Sequence, residues 1–169
     1  MHSLRPLAGA VLTAVLLTGY AAAPATASVQ ESAAVSLTSA AARPGNGKVL
    51  YDRISGGEGV LKIKNGTAKD GVVTLVKGKK KAFSLYVRAK STASFKQVDD
   101  GTYTVYFTTG YRFSSSKRKF TKSASYQRFN DRLKFTTTAT QSTIWTLTLN
   151  PVKGGNARTS GVNPKDFPA

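Results

Sequence analysis

The stretch Val98–Phe113, VDDGTYTVYFTTGYRF, decides the fold class. Tyr103, Val105 and Phe107 alternate with Thr102, Thr104, Tyr106 and Thr108. A period of two built from β-branched and aromatic residues is the pattern of a half-buried strand. Asp100-Gly101 has the chemistry of a tight hairpin turn, and Gly110 leaves the chain room to bend before Tyr111. The same period appears on both sides. In GVLKIKN (59–65), Leu61 and Ile63 oppose Lys62 and Lys64. In AFSLYVR (82–88), Phe83, Leu85 and Val87 oppose Ser84, Tyr86 and Arg88. Further strands are expected at Val72–Val76, Ser94–Val98, Lys117–Lys122, Arg132–Thr137 and Thr143–Asn150, with another around Val49–Ile54. Asn65-Gly66, Asp70-Gly71 and Lys77-Gly78 supply turns between them. No helical periodicity extends beyond a few residues. Seven to nine short strands with close turns predict an all-β chain folded as a single antiparallel β-sandwich.

The letters of residues 98–113 resemble the "pGtYtv…GY" hairpin of transthyretin-like sandwiches. That group includes carboxypeptidase regulatory-like domains, PEGA domains and the CnaB modules of bacterial surface proteins. The resemblance covers about sixteen residues and implies the fold more than an activity. For a CnaB module it further implies an isopeptide bond between an early-strand Lys, here Lys62 or Lys64, and a late-strand Asn, here Asn150. Phe107 stands where that motif has its acid, so the cross-link is not expected.

The N-terminus predicts export. Arg5 precedes an apolar run from Leu7 to Leu17, too short for a membrane-spanning helix, and Ala25-Thr26-Ala27 is a small-x-small cleavage site. A signal peptide over residues 1–27, cut before Ser28, follows from this. LTGYAAAP (17–24) resembles the lipoprotein signals of high-G+C Gram-positive bacteria with Tyr20 in place of the Cys. A phenol cannot form the lipid thioether, so release to the exterior or the cell wall is expected. Residues 28–47, rich in Ala, Ser and Thr and closing on Arg43-Pro44-Gly45-Asn46-Gly47, are expected to be a flexible leader. The sandwich is placed at residues 48–153, and an irregular tail rich in Gly, Asn and Pro at 154–169.

Composition narrows the chemistry. The chain has no Cys, so packing alone must hold the fold, and neither thiol nor zinc-thiolate chemistry is available. Its single His, His2, lies in the signal segment, which leaves the processed chain without an imidazole for acid–base or metal work. Ser114–Lys117 matches the S-x-x-K of penicillin-binding enzymes without their other motifs or a helix to present it. Asn65-Gly66-Thr67 fits a glycosylation sequon, but a turn accounts better for Asn-Gly. Phosphate-cradling and calcium loops are absent from the sequence, and a non-enzymatic chain without cofactor or metal is expected.

What remains is charge. The whole chain carries +17, and the processed chain 24 basic against 8 acidic side chains. Lys77, Lys79, Lys80 and Lys81 crowd one turn, and Lys117, Arg118, Lys119 and Lys122 another, with Arg88 and Lys96 between them. Lysines at turns and edges guard against aggregation. Clustered ones also lower their free energy by displacing counterions from polyanions. Anionic cell-wall polymers, extracellular DNA and anionic lipid are the expected partners. Two other uses are open: a carbohydrate platform formed by outward Tyr86 and Tyr106, and a protein-interaction or inhibitor segment at Tyr111–Tyr126 with Phe113 or Phe120 at its centre.

Overall fold

A computed structural model describes residues 42–150 and 157–168. The signal segment and most of the leader lie outside the described residues. Nine strands and no helix make up the described chain: β1 (Val49–Asp52), β2 (Ser55–Asn65), β3 (Asp70–Lys77), β4 (Lys80–Val87), β5 (Ser91–Val98), β6 (Gly101–Ser114), β7 (Lys119–Phe135), β8 (Ile144–Thr148) and β9 (Thr159–Gly161). No helix among them is long and apolar enough to cross a membrane. A six-stranded sheet in the order β1-β4-β3-β6-β7-β9 faces a three-stranded sheet in the order β5-β2-β8. All pairings are antiparallel except β2 with β8. The all-β sandwich expected from strand periodicity is the fold observed.

The alternation in the sequence places the core. Leu61 and Ile63 from β2, Phe83, Leu85 and Val87 from β4, and Tyr103, Val105 and Phe107 from β6 are all buried between the sheets. Phe83 stacks on the Phe95 ring of the facing sheet, centroid to centroid at 4.2 Å. Lys62 and Lys64 point to solvent. The sequences of the two late strands expected at Lys117–Lys122 and Arg132–Thr137 join into the one long strand β7.

Two turn assignments change. Asp100-Gly101 does not close a hairpin, because β5 and β6 belong to opposite sheets. Asp70-Gly71 is not a turn but the start of β3, with Asp70 buried. Asn65-Gly66 begins the crossing from β2 to β3. The side chain of Asn65, buried, donates to the carbonyls of Lys69, Val87 and Arg88 at 2.8, 3.3 and 3.2 Å. A side chain so engaged holds the crossing and is shut away from glycan transfer in the folded protein.

The outer face of the six-stranded sheet departs furthest from expectation. Beyond Gly110 the β6–β7 hairpin folds back over that face. Phe113 and Phe120 pack there on Val72, Tyr86 and Leu50, forming a second apolar cluster. The ring centroids of Phe113 and Tyr86 lie 5.2 Å apart. Gly110 permits the bend by making room: a Cβ at this position would stand 2.6 Å from the Cβ of Phe120. The segment expected to be an irregular tail contributes β9, which pairs with β7, and Phe167, which packs edge-on against Tyr106 and Tyr126. The last leader residues are also tied to the domain, with the Asn46 amide donating to the Thr92 carbonyl at 2.8 Å.

Candidate polyanion-binding surface

The folded-back hairpin brings together basic groups far apart in sequence. Lys79 and Lys80 are exposed on the β3–β4 turn, where Gly78 takes the left-handed conformation with φ of 63°. Lys117, Arg118 and Lys119 form the tip of the β6–β7 hairpin, all exposed. Because the hairpin folds back, Arg118 and Lys81 line one crevice on the outer face, above Thr74 and Ser84. Burial, and then the Arg118 charge, push the Lys81 ammonium below the usual lysine value. The ammonium of Lys81 also stands over the Tyr51 ring, 4.6 Å from its centroid, with the Arg53 guanidinium 5.8 Å from the same centroid. Arg53 thus joins this surface although its neighbours in sequence gave no cue to it.

The other predicted cations lie elsewhere. Lys77 points toward the β5–β6 turn, where its Nζ donates to the Asp100 carbonyl at 3.1 Å. Arg88 sits at the far end of β4, half-buried, with its Nε donating to the Pro44 carbonyl at 2.9 Å. Lys96 is exposed on β5 in the other sheet. Lys122 is separated from the tip and lines a groove at the base of the hairpin. The ten basic positions therefore do not form one patch: Lys81 and Arg118 meet in the crevice, with Lys117 and Lys119 beside Arg118 at the tip and Lys79 and Lys80 at the β3–β4 turn, where Lys80 stands opposite Lys77 in the ladder, while Arg88, Lys96 and Lys122 stand apart.

The aromatic platform is overturned. Tyr86 is fully buried beneath Phe113 and Phe120, its hydroxyl turned toward Asp70. Tyr106 is half-buried under Phe167. Alternation along β4 and β6 shows which residues share a face, but a second layer covers the face expected to be open. Phe113 and Phe120 are likewise spent on that layer, so neither is free to sit at the centre of a protein interface.

A polar cluster that sequence reasoning missed closes the base of the hairpin. The Asp70 carboxylate receives hydrogen bonds from the Arg43 guanidinium, the Tyr86 hydroxyl and the Ala89 amide. The Arg43 Nε contact is 2.8 Å and the Ala89 contact 2.8 Å. Arg43–Asp70 is the one ion pair among the described residues. Burial raises the Asp70 carboxyl, but hydrogen bonds from Arg43, Tyr86 and Ala89 outweigh it and hold the group below the ordinary carboxylate range. Burial, followed by the bond to Asp70, pushes the Tyr86 phenol up to about 12. Asp70 sits at a strand start and not a turn, and Arg43 came from a segment read as leader. Only their distance in space pairs them.

These shifts predict how stability follows pH. A carboxyl with a lowered folded value adds stability that is complete above its unfolded value of about 3.9 and is lost as pH falls through the folded value. A phenol with a raised folded value adds stability that is complete below its unfolded value of about 10 and is lost as pH rises toward 12. Asp70→Asn is expected to flatten the acid limb of a pH series of urea midpoints, and Tyr86→Phe the alkaline limb. Limbs in both variants that run parallel to wild type would disprove this assignment.

No family model, no curated protein and no solved structure matches the chain.

Proposed function

We propose that this is a secreted, non-enzymatic protein that attaches electrostatically to anionic polymers of the cell envelope. The observation that carries this reading is the approach of Arg118, on the hairpin tip folded onto the sheet, to Lys81, about forty residues earlier in the chain, each flanked by further exposed lysines. Like charges gathered in one place raise the local potential, and a bound polyanion relieves it while releasing its counterions. Anionic wall polymers, extracellular DNA and anionic lipid offer the same negative repeat. Buried Tyr86 and covered Tyr106 disfavour stacking on neutral sugar as the main mode of binding.

The test reverses only side chains that carry no packing. Lys79, Lys80, Lys117 and Lys119 are exposed and are changed together to Glu, while Lys81 and Arg118 stay because Lys81 packs on Tyr51. A lysine near an anionic surface contributes about 1 kcal/mol, less in salt. Retention on isolated Gram-positive cell walls is expected to fall about a hundredfold, and wild-type binding to weaken steeply as salt rises. Retention that is indifferent to both the reversal and salt would refute the proposal.

A further inference from the structure

Between the base of the folded-back hairpin and the β2–β3 and β4–β5 connections lies a groove of about 1120 Å³. Arg43, Arg112 and Lys122 line it, and Asp70, its one lining acid, is already neutralised by Arg43. Tyr111, 40% exposed, also lines it, with Ser114 and Thr121, whose hydroxyls are engaged within the hairpin: Thr121 Oγ1 donates to the Arg112 carbonyl at 2.9 Å, and Ser114 Oγ accepts from the Lys117 amide at 3.3 Å. One face of the Tyr111 ring meets the Lys69 ammonium, 5.8 Å from the centroid.

The backbone adds an independent sign. Arg112 adopts a left-handed conformation with φ of 54°, which costs a non-glycine residue about 1 kcal/mol. Stability alone favours Gly or Asn there, and strain of this kind gathers at binding sites. Two uncompensated cations and a flat ring suit a ligand that is both acidic and ring-shaped.

We propose that this groove binds a sugar ring carrying an acid group, as one repeat of an anionic glycan held by the hairpin surface. The proposal rests on the polyanion reading and specifies the repeat: the tip lysines supply unselective attraction, and the groove selects for a ring. Arg112 and Lys122 would hold the carboxylate or phosphate, and the exposed part of Tyr111 would pack against the apolar side of the sugar.

Calorimetric titration of the full chain tests this with four probes: tri-galacturonate, glucose 1-phosphate, ringless tripolyphosphate and uncharged maltotriose. At least one of the two ring-borne acids is expected to bind about tenfold more tightly than tripolyphosphate and maltotriose, and which one it is distinguishes carboxylate from phosphate as the source. Tyr111→Ala is expected to weaken the ring-acid affinity about tenfold and leave tripolyphosphate unaffected, whereas Arg112→Gly, which removes a cation, is expected to weaken both. Arg112→Gly is also expected to keep or raise the thermal midpoint, since glycine relieves the left-handed strain, so lost binding cannot be blamed on unfolding. Equal affinity for ringed and ringless acids, or variants that bind as wild type does, would overturn the groove. If long-chain polyphosphate is still held at low salt in that case, the groove alone falls. If no polymer is held at low salt, the polyanion reading falls, whatever the ring acids do.

Discussion

Gly110→Val is expected to lower the unfolding free energy by about 4 kcal/mol and to part the hairpin from the sheet. The cause is steric and local: a Cβ at residue 110 meets the Cβ and Cγ of Phe120 at 2.6 and 2.7 Å, and the Lys122 carbonyl at 3.2 Å. These atoms belong to the strand running alongside, so a rotamer change at the new side chain cannot clear the first of them. Relief requires the hairpin to lift, which exposes Phe113 and Phe120, and burial of each stabilises by about 2 kcal/mol. It also uncovers Tyr86 and the bond it gives Asp70. Phe120→Ala removes part of the same contact, so the double variant should lose much less than the sum of the two single losses. Urea midpoints measure this, and additive losses would show that Gly110 does not hold the hairpin down. Salt-dependent retention on cell walls should weaken in Gly110→Val as well, because Arg118 then leaves Lys81.

The parts of the fold that strand periodicity revealed are those in which neighbouring residues decide the outcome. Phe83, Leu85 and Val87 on β4, like Tyr103, Val105 and Phe107 on β6, are a run of alternating apolar residues, and one face of each run became core. Which partner covers the opposite face depends on residues far along the chain. Tyr86 is sealed by Phe113 and Phe120, and Tyr106 by Phe167, none of which is visible in the local pattern. Sheet assignment is equally nonlocal: nothing about Asp100-Gly101 tells whether the strands it joins will pair or cross between sheets. The basic clusters were plain in sequence as charge, but their meeting needed the fold-back at Gly110. Arg112 at the groove was hidden for another reason, since a left-handed arginine within a strand leaves no trace in composition.

Asn65→Ala is expected to cost about 4 kcal/mol, a large share of the 5–15 kcal/mol that usually separates folded from unfolded domains. Asn65 stands where β2 ends and the chain crosses to the opposite sheet, 1% exposed. Its amide nitrogen serves the carbonyls of Lys69, Val87 and Arg88, while its oxygen accepts from the amide and hydroxyl of Thr67 at 3.1 and 2.7 Å. Alanine leaves the Val87 and Arg88 carbonyls and the Thr67 amide without this partner in a largely buried site, while the Lys69 carbonyl still accepts from the Thr67 hydroxyl, and each buried unsatisfied group costs about 1–3 kcal/mol. Part of the cost returns if water enters, which makes the low end of the sum the better figure. Asn65→Asp keeps the oxygen that accepts from Thr67 but places a charge against three carbonyl oxygens, so it should be at least as damaging at neutral pH and partly restored at acid pH, where the carboxyl is protonated and donates to one of them. A turn residue in an exposed loop would give the opposite result, with both substitutions within about 0.5 kcal/mol of wild type. Urea unfolding of the two variants at pH 4 and pH 7 therefore distinguishes a crossing held by one amide from an ordinary turn. The outcome also bears on the groove, because Lys69, which Asn65 anchors, carries the ammonium over Tyr111.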